Sequence, residues 1–116
     1  MTRVGFYVVQ VAQQEERLRV AARLADKAFA AGHRIYINAT DREQALLLDE
    51  LLWSFRPASF LPHDRIDERD DAPITVGWGQ EPDDHNDLLI NLQLEIPRFF
   101  SRFNRVCEVV TQYPDS

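Results

Sequence analysis

Apolar and polar positions alternate between short apolar runs and longer periodic stretches. Phe6-Tyr7-Val8-Val9 is a β-prone apolar run and predicts a buried strand. From about Glu15 to Ala31, residues Leu18, Ala21, Ala22, Ala25, Ala28 and Phe29 recur at spacings of three and four. Arg17, Arg19, Arg23, Asp26 and Lys27 fall largely on the other faces, so this stretch predicts an amphipathic helix. Gly32 stands where a helix C-cap is expected. Ile35-Tyr36-Ile37 follows at once as a second strand, and the β-α-β spacing predicts a right-handed parallel crossover.

A second helix starts at Thr40 or Asp41. Thr40 with Glu43 and Asp41 with Gln44 both match a capping box, so the pattern leaves the register open. Its core contacts are expected from Leu48, Leu51 and Leu52, and Pro57 stops any continuation. Residues 56–71 are polar and broken by Pro57 and Pro62, which reads as loop. Pro73 to Trp78 and Leu88 to Leu92 read as a third and a fourth strand. Pro97 suits the first turn of a last helix, with a stripe of Phe99, Phe100, Phe103, Val106, Cys107 and Val110. Alternating elements of this kind predict one domain over residues 1–116. The fold class is three-layer α/β/α, a Rossmann-like, mainly parallel sheet of four to five strands. The link between the third and fourth strands is too short for a normal crossover helix. One edge is therefore antiparallel, or the link crosses without a helix.

Composition narrows the function classes. The chain has 116 residues, 45% of them apolar, which suits a packed core rather than a disordered tail. Lys and Arg number 13 against 19 Asp and Glu, a net charge of −6, so tight direct binding to DNA is not expected. Lys27 is the sole lysine. The remaining basic residues are arginines, which suit bidentate pairing with carboxylates on an acidic protein partner. Cys107 is the sole cysteine, which excludes an internal disulfide and a cysteine zinc cage and suits a reducing cytoplasm. Neither a signal peptide nor a membrane span is expected.

Candidate chemistry is sparse. The turn after the first strand, Gln10 to Gln14, carries none of the glycines that a phosphate-binding turn requires, and no bound nucleotide or other cofactor is expected. His33, His63 and His85 share no metal-ligand spacing. Asp83-Asp84-His85-Asn86-Asp87 lacks the glycine and terminal glutamate of a calcium loop. Residues 67–71 read as a solvated acidic loop. His63 and Asp64 are chain neighbours with no placed nucleophile, so they do not read as a catalytic pair. Cys107 reads as a small buried hydrophobe.

The segment from Leu48 to His63 stands out. It gathers Trp53, Phe55 and Phe60 with Arg56, Pro57 and Pro62 around one helix end, which reads either as core and loop anchoring or as an interaction hot spot. Leu48-Asp49-Glu50-Leu51-Leu52-Trp53, running on to Ser59-Phe60-Leu61-Pro62-His63, resembles the bacterial DNA polymerase III chi subunit family. So do Phe6-Tyr7, Gly32 to Ile37, Ala72-Pro73-Ile74 to Trp78, and Asp87 to Leu92, in the same order over essentially the whole chain.

The resemblance implies a non-catalytic accessory subunit. Such a subunit pairs with psi, which tethers it to the clamp loader, and binds the acidic C-terminal tail of the single-stranded-DNA-binding protein. It implies that Trp53 and Phe60, with Arg56 and Pro57 as companions, lie on an aromatic partner-binding surface. It places Val110 at the apolar edge of the tail site. Family members continue into a further helix with basic residues and a tyrosine that grip the tail. This sequence stops at Tyr113-Pro114-Asp115-Ser116 and holds none of those groups. Two other readings compete. One is a small α/β enzyme with a nucleotide-like ligand at the strand C-terminal ends, beside Gln10, Asn38, Asp41 or His63. The other is single-stranded nucleic-acid stacking on Trp53, Phe55 and Phe60, which lacks a basic groove.

Overall fold

The structure is a computed structural model that describes residues 2–9, 14–54, 61–68, 71–82 and 85–111. Six strands form one sheet: β1 (Arg3–Val9), β2 (Ile35–Asn38), β3 (His63–Arg65), β4 (Ile74–Gly77), β5 (Leu88–Asn91) and β6 (Arg105–Thr111). Their order is β1-β6-β5-β2-β4-β3 and every pairing is parallel, an open Rossmann-like α/β architecture. No antiparallel edge exists among these strands. The β4–β5 connection passes β2 with no helix among its described residues.

Helix α1 (Gln14–Ala30) joins β1 to β2, and α2 (Arg42–Ser54) joins β2 to β3. Helix α1 packs closely because its buried face is mostly alanine: Ala21, Ala22 and Ala25 are fully buried beside Leu18. Glu15 and Glu16 sit at its positive end and Lys27 in its last turn, as the helix dipole favours. At its end the Gly32 amide donates to Phe29 O (3.0 Å) and the His33 amide to Ala28 O (3.0 Å). That paired closure needs a left-handed residue, and Gly32 supplies it at φ +91°. The start of α2 settles the open register. Asp41 Oδ1 accepts from the Gln44 amide at 2.8 Å, and Gln44 Oε1 accepts from the Thr40 amide at 2.8 Å.

Alternation along the strands makes two cores. Ile35, Ile37, Ile74, Val76, Ile90, Cys107 and Val109 face the helices with Leu18, Leu48 and Leu52. Tyr36, Leu89 and Val106 face the other way, under Phe99 and Phe103. The aromatic pair comes from a 3₁₀ turn, Arg98–Arg102, and the residue after it.

Four expectations are corrected. The sheet has six strands rather than four to five, because β3 and β6 join it. The last helix does not form: the 3₁₀ turn ends at Phe103 (φ −95°, ψ 146°) and residues 105–111 are strand β6. Val106, Val109 and Val110 are β-branched, and β6 is held by β1 and β5 on its two sides, which outweighs the helical spacing of the apolar stripe. Strand β3 lies inside the stretch read as loop, because three polar-looking residues give no periodic signal. The first strand is not buried: β1 is a sheet edge, with Phe6 67% and Val8 52% exposed.

Candidate partner-binding surfaces

In an open α/β sheet the customary ligand crevice lies where neighbouring strand ends send their connections to opposite faces. Here that point is between β2 and β5, since α2 leaves on the α1 face while the 3₁₀ turn lies on the other. Asn38 and Asn91 end these two strands and are both fully buried. Asn38 Nδ2 donates to Asn91 Oδ1 at 3.0 Å, and the Gly79 amide donates to Asn38 Oδ1 at 2.8 Å. Asn91 Nδ2 lies 3.0 and 3.1 Å from the two Glu108 carboxylate oxygens. Gln93 Nε2 closes over Ala39 O at 2.9 Å. The polar groups that would meet a ligand are therefore bonded to one another. The open hollow beside them, about 400 Å³ and lined by Thr40, Gln93, Leu94 and Glu95, has a carboxylate on its wall and, among the described residues, no cation to hold a phosphate.

Burial pushes the Glu108 carboxyl above the usual carboxylate range, and the Asn91 hydrogen bonds oppose that rise. Burial likewise pushes the Cys107 thiol up, while a hydrogen bond with Tyr7 pulls it down. Cys107 is 5% exposed and faces the helix-side core, as a small hydrophobe does, although from a strand.

The other chemical candidates also hold the fold. His63 Nδ1 lies 2.6 Å from Leu61 O, and Nε2 lies 3.1 Å from Asp49 O. Its neighbour Asp64 points to the opposite face of β3, accepting from Thr75 Oγ1 at 2.7 Å and from the Ala72 amide at 3.2 Å. His85 is fully buried with Nε2 3.1 Å from Thr75 Oγ1. Asp87 accepts from the Arg34 amide and pairs with His33. Among the described residues no group of three or more His, Cys, Asp or Glu is placed to hold a metal ion. Of the acidic loop, Asp67 and Glu68 pair with Arg65, and Asp71 with Arg34. Gln10, Asp83 and Asp84 lie outside the described residues.

What remains is exposed apolar surface; besides Leu47 on α2 and Leu94 and Ile96 after β5, two places bear on the expected partner surfaces. Trp53 is 55% exposed on the last turn of α2, its ring edge-on to His63 at 4.8 Å between centroids. Arg56, Pro57 and Phe60, expected beside it with Phe55, lie outside the described residues. The second place is the far edge of the sheet. Val4, Phe6 and Val8 stand on the face of β1 that the helices leave open. Val110, half-buried on β6, is the register partner of Val8. Val110 is therefore a strand residue beside an exposed strand, not part of a helix stripe. Helix α2 packs on β3 and β4, so four strand spacings, roughly 19 Å, separate β6 from the β3 edge. The structure thus does not bring Trp53 and Val110 together: they lie on opposite faces, toward opposite edges. The β1 patch escaped sequence reasoning, since an apolar run looks the same in a central strand and an edge strand.

Comparisons with known proteins agree with the sequence pattern. The family model described as DNA polymerase III chi subunit, HolC, matches residues 1–116. A Pseudomonas aeruginosa protein named DNA polymerase III subunit chi is 47% identical over 98% of this chain and 80% of its own length. Proteins of the same name from Haemophilus influenzae and Escherichia coli are 36% and 33% identical, over 78% and 84% of this chain. The matches span 65% and 68% of those two relatives, so this chain covers about two-thirds of their length.

Proposed function

Since the chain belongs to the DNA polymerase III chi subunit family, we propose that it is a non-catalytic adaptor in DNA replication. In this reading it joins the clamp loader, through psi, to the acidic C-terminal tail of the single-stranded-DNA-binding protein in the cytoplasm. The observation that supports the reading is that exposed Trp53 on α2 and the exposed Val4-Phe6-Val8 face of β1 lie on opposite faces of one sheet, toward opposite edges. An adaptor needs two contacts that do not compete for the same space. In this reading Trp53 belongs to the psi side, and Arg56, Pro57 and Phe60, which lie outside the described residues, are its companions by the family resemblance alone. Val110, beside Val8 and Phe6, belongs to the tail side. No catalytic step is assigned to this chain. Of the residues of the competing enzyme reading, three have structural duties: Asn38 ties β2 to β5, Asp41 caps α2, and His63 ties α2 to β3, while Gln10 lies outside the described residues. Among the described residues no helix is long and apolar enough to cross a membrane.

The test is calorimetric titration of purified psi into this chain. Saturable one-to-one binding is expected. Trp53→Ala should weaken it by about 1–3 kcal/mol, the loss typical of a truncated hot-spot aromatic. Phe6→Ser should leave it unchanged. A folded chain that fails to bind psi would end the reading.

A further inference from the structure

Helices α1 and α2 leave a groove between them on the outer face of the molecule. Its volume is about 520 Å³ and it is lined by Glu15, Leu18, Leu47, Glu50, Leu51 and Ser54. The floor is leucine: Leu18 is buried, Leu51 half-buried, and Leu47 is 48% exposed. An exposed leucine at mid-helix is unremarkable alone. Three leucines from two helices lining one trough are not scattered surface, and they offer a continuous apolar strip. The walls are acidic. Glu15 comes from the first turn of α1 and Glu50 from the third turn of α2. Glu43, exposed, stands one helical turn before Leu47 on α2, so the strip has carboxylates along its length. Arg19 is engaged with Glu15 at 3.0 Å and offsets one of these charges.

This pattern selects the occupant. A second copy of the chain is a poor one: a symmetric contact would set Glu15, Glu43 and Glu50 against the same three residues, between chains that each carry a net charge of −6. An acidic peptide meets the same repulsion. An amphipathic helix has the right shape for a leucine-floored trough between two helices, reading it with apolar anchors at i, i+3 or i+4, and i+7. Lys or Arg beside those anchors would meet the carboxylate walls. We propose that the α1–α2 groove is a docking site for an amphipathic helix whose apolar stripe is flanked by basic residues. This site adjoins the Trp53 surface, since Glu50 stands one turn before Trp53 and Ser54 follows it, but it lies away from the β1 edge, and it does not depend on the adaptor reading.

The experiment uses the whole chain and a defined probe: a fluorescein-labelled 15-residue helical peptide with leucines at the anchor positions and lysines beside them. Fluorescence anisotropy is read against two controls, the same peptide with glutamates for the lysines, and a scrambled sequence of the lysine peptide. Saturable binding is expected for the lysine peptide, at least tenfold weaker for each control. Leu47→Ser should reduce it at least fivefold, and Glu50→Lys likewise, with circular dichroism unchanged. Phe6→Ser, on the far edge of the sheet, should have no effect. Binding that is equal for the ordered and scrambled peptides, or unmoved by both groove variants, would overturn the proposal. So would a concentration-dependent dimer in sedimentation that Leu47→Ser abolishes, since the groove would then be occupied by a second copy. Leu47→Ser leaves the Trp53 surface intact, so psi titration of that variant separates failure here from failure of the adaptor reading.

Discussion

At Gly77 the backbone of β4 runs directly against the Tyr36 ring. A Cβ there would collide with the Tyr36 hydroxyl, which donates to Gln80 O at 2.7 Å. Tyr36 is fully buried between Phe99, Phe103 and His85, so it has no room to retreat. Gly77→Ala should therefore cost about 1–3 kcal/mol of stability, measured by urea unfolding. Glu108 acts in the opposite sense. Its raised pKa means that the folded chain keeps this proton to a higher pH than the unfolded chain does. Stability is lost as pH rises from the ordinary glutamate value through the raised one, and the penalty is complete above it. Glu108→Gln should thus melt higher than the parent at pH 7, and the advantage should vanish below the ordinary glutamate pKa. Cys107 offers a third check. Its thiol is buried and shifted up, so an aromatic disulfide reagent at pH 7.5 should react slowly with the folded chain and promptly in denaturant. Equal rates would show that β6 does not pack against α1.

Among the elements, α1 and β2 were legible because each carries a complete local signal. The i, i+3, i+4 alanine face, the terminal Gly32 and the Ile-Tyr-Ile run all point one way. The cap of α2 was legible as two alternatives, and Asp41 won because its carboxylate reaches the Gln44 amide. Strand β6 was misread for a physical reason. Val106, Val110 and the phenylalanines before them fit a helical period as well as a strand, and only pairing with β1 and β5 decides between the two. The candidate surfaces show the same division. Trp53 was legible from composition, as an aromatic at a helix end. The Val4-Phe6-Val8 face was not, because strand order rests on contacts far apart in sequence. The division also predicts different mutational behaviour. Phe103→Ala, at a buried position of the second core, should lose about 3–5 kcal/mol of stability. Trp53→Ala should lose about 1 kcal/mol, the worth of one aromatic contact, and keep a native circular dichroism spectrum.

For the molecule as a whole, the adaptor account makes the parallel sheet a spacer. The crevice where such sheets hold nucleotides is filled by the Asn38–Asn91–Glu108 network, and exposed Trp53 and the exposed face of β1 lie toward opposite edges. The adaptor account therefore requires both partners to bind at once. The direct measurement is sedimentation velocity of the psi complex of this chain mixed with a fluorescent tail peptide of the single-stranded-DNA-binding protein. The account predicts that the fluorescence moves with the complex, and that Val110→Asp releases the peptide while psi stays bound. Displacement of psi by the peptide, or a psi complex that leaves the peptide free at saturating concentration, would contradict it.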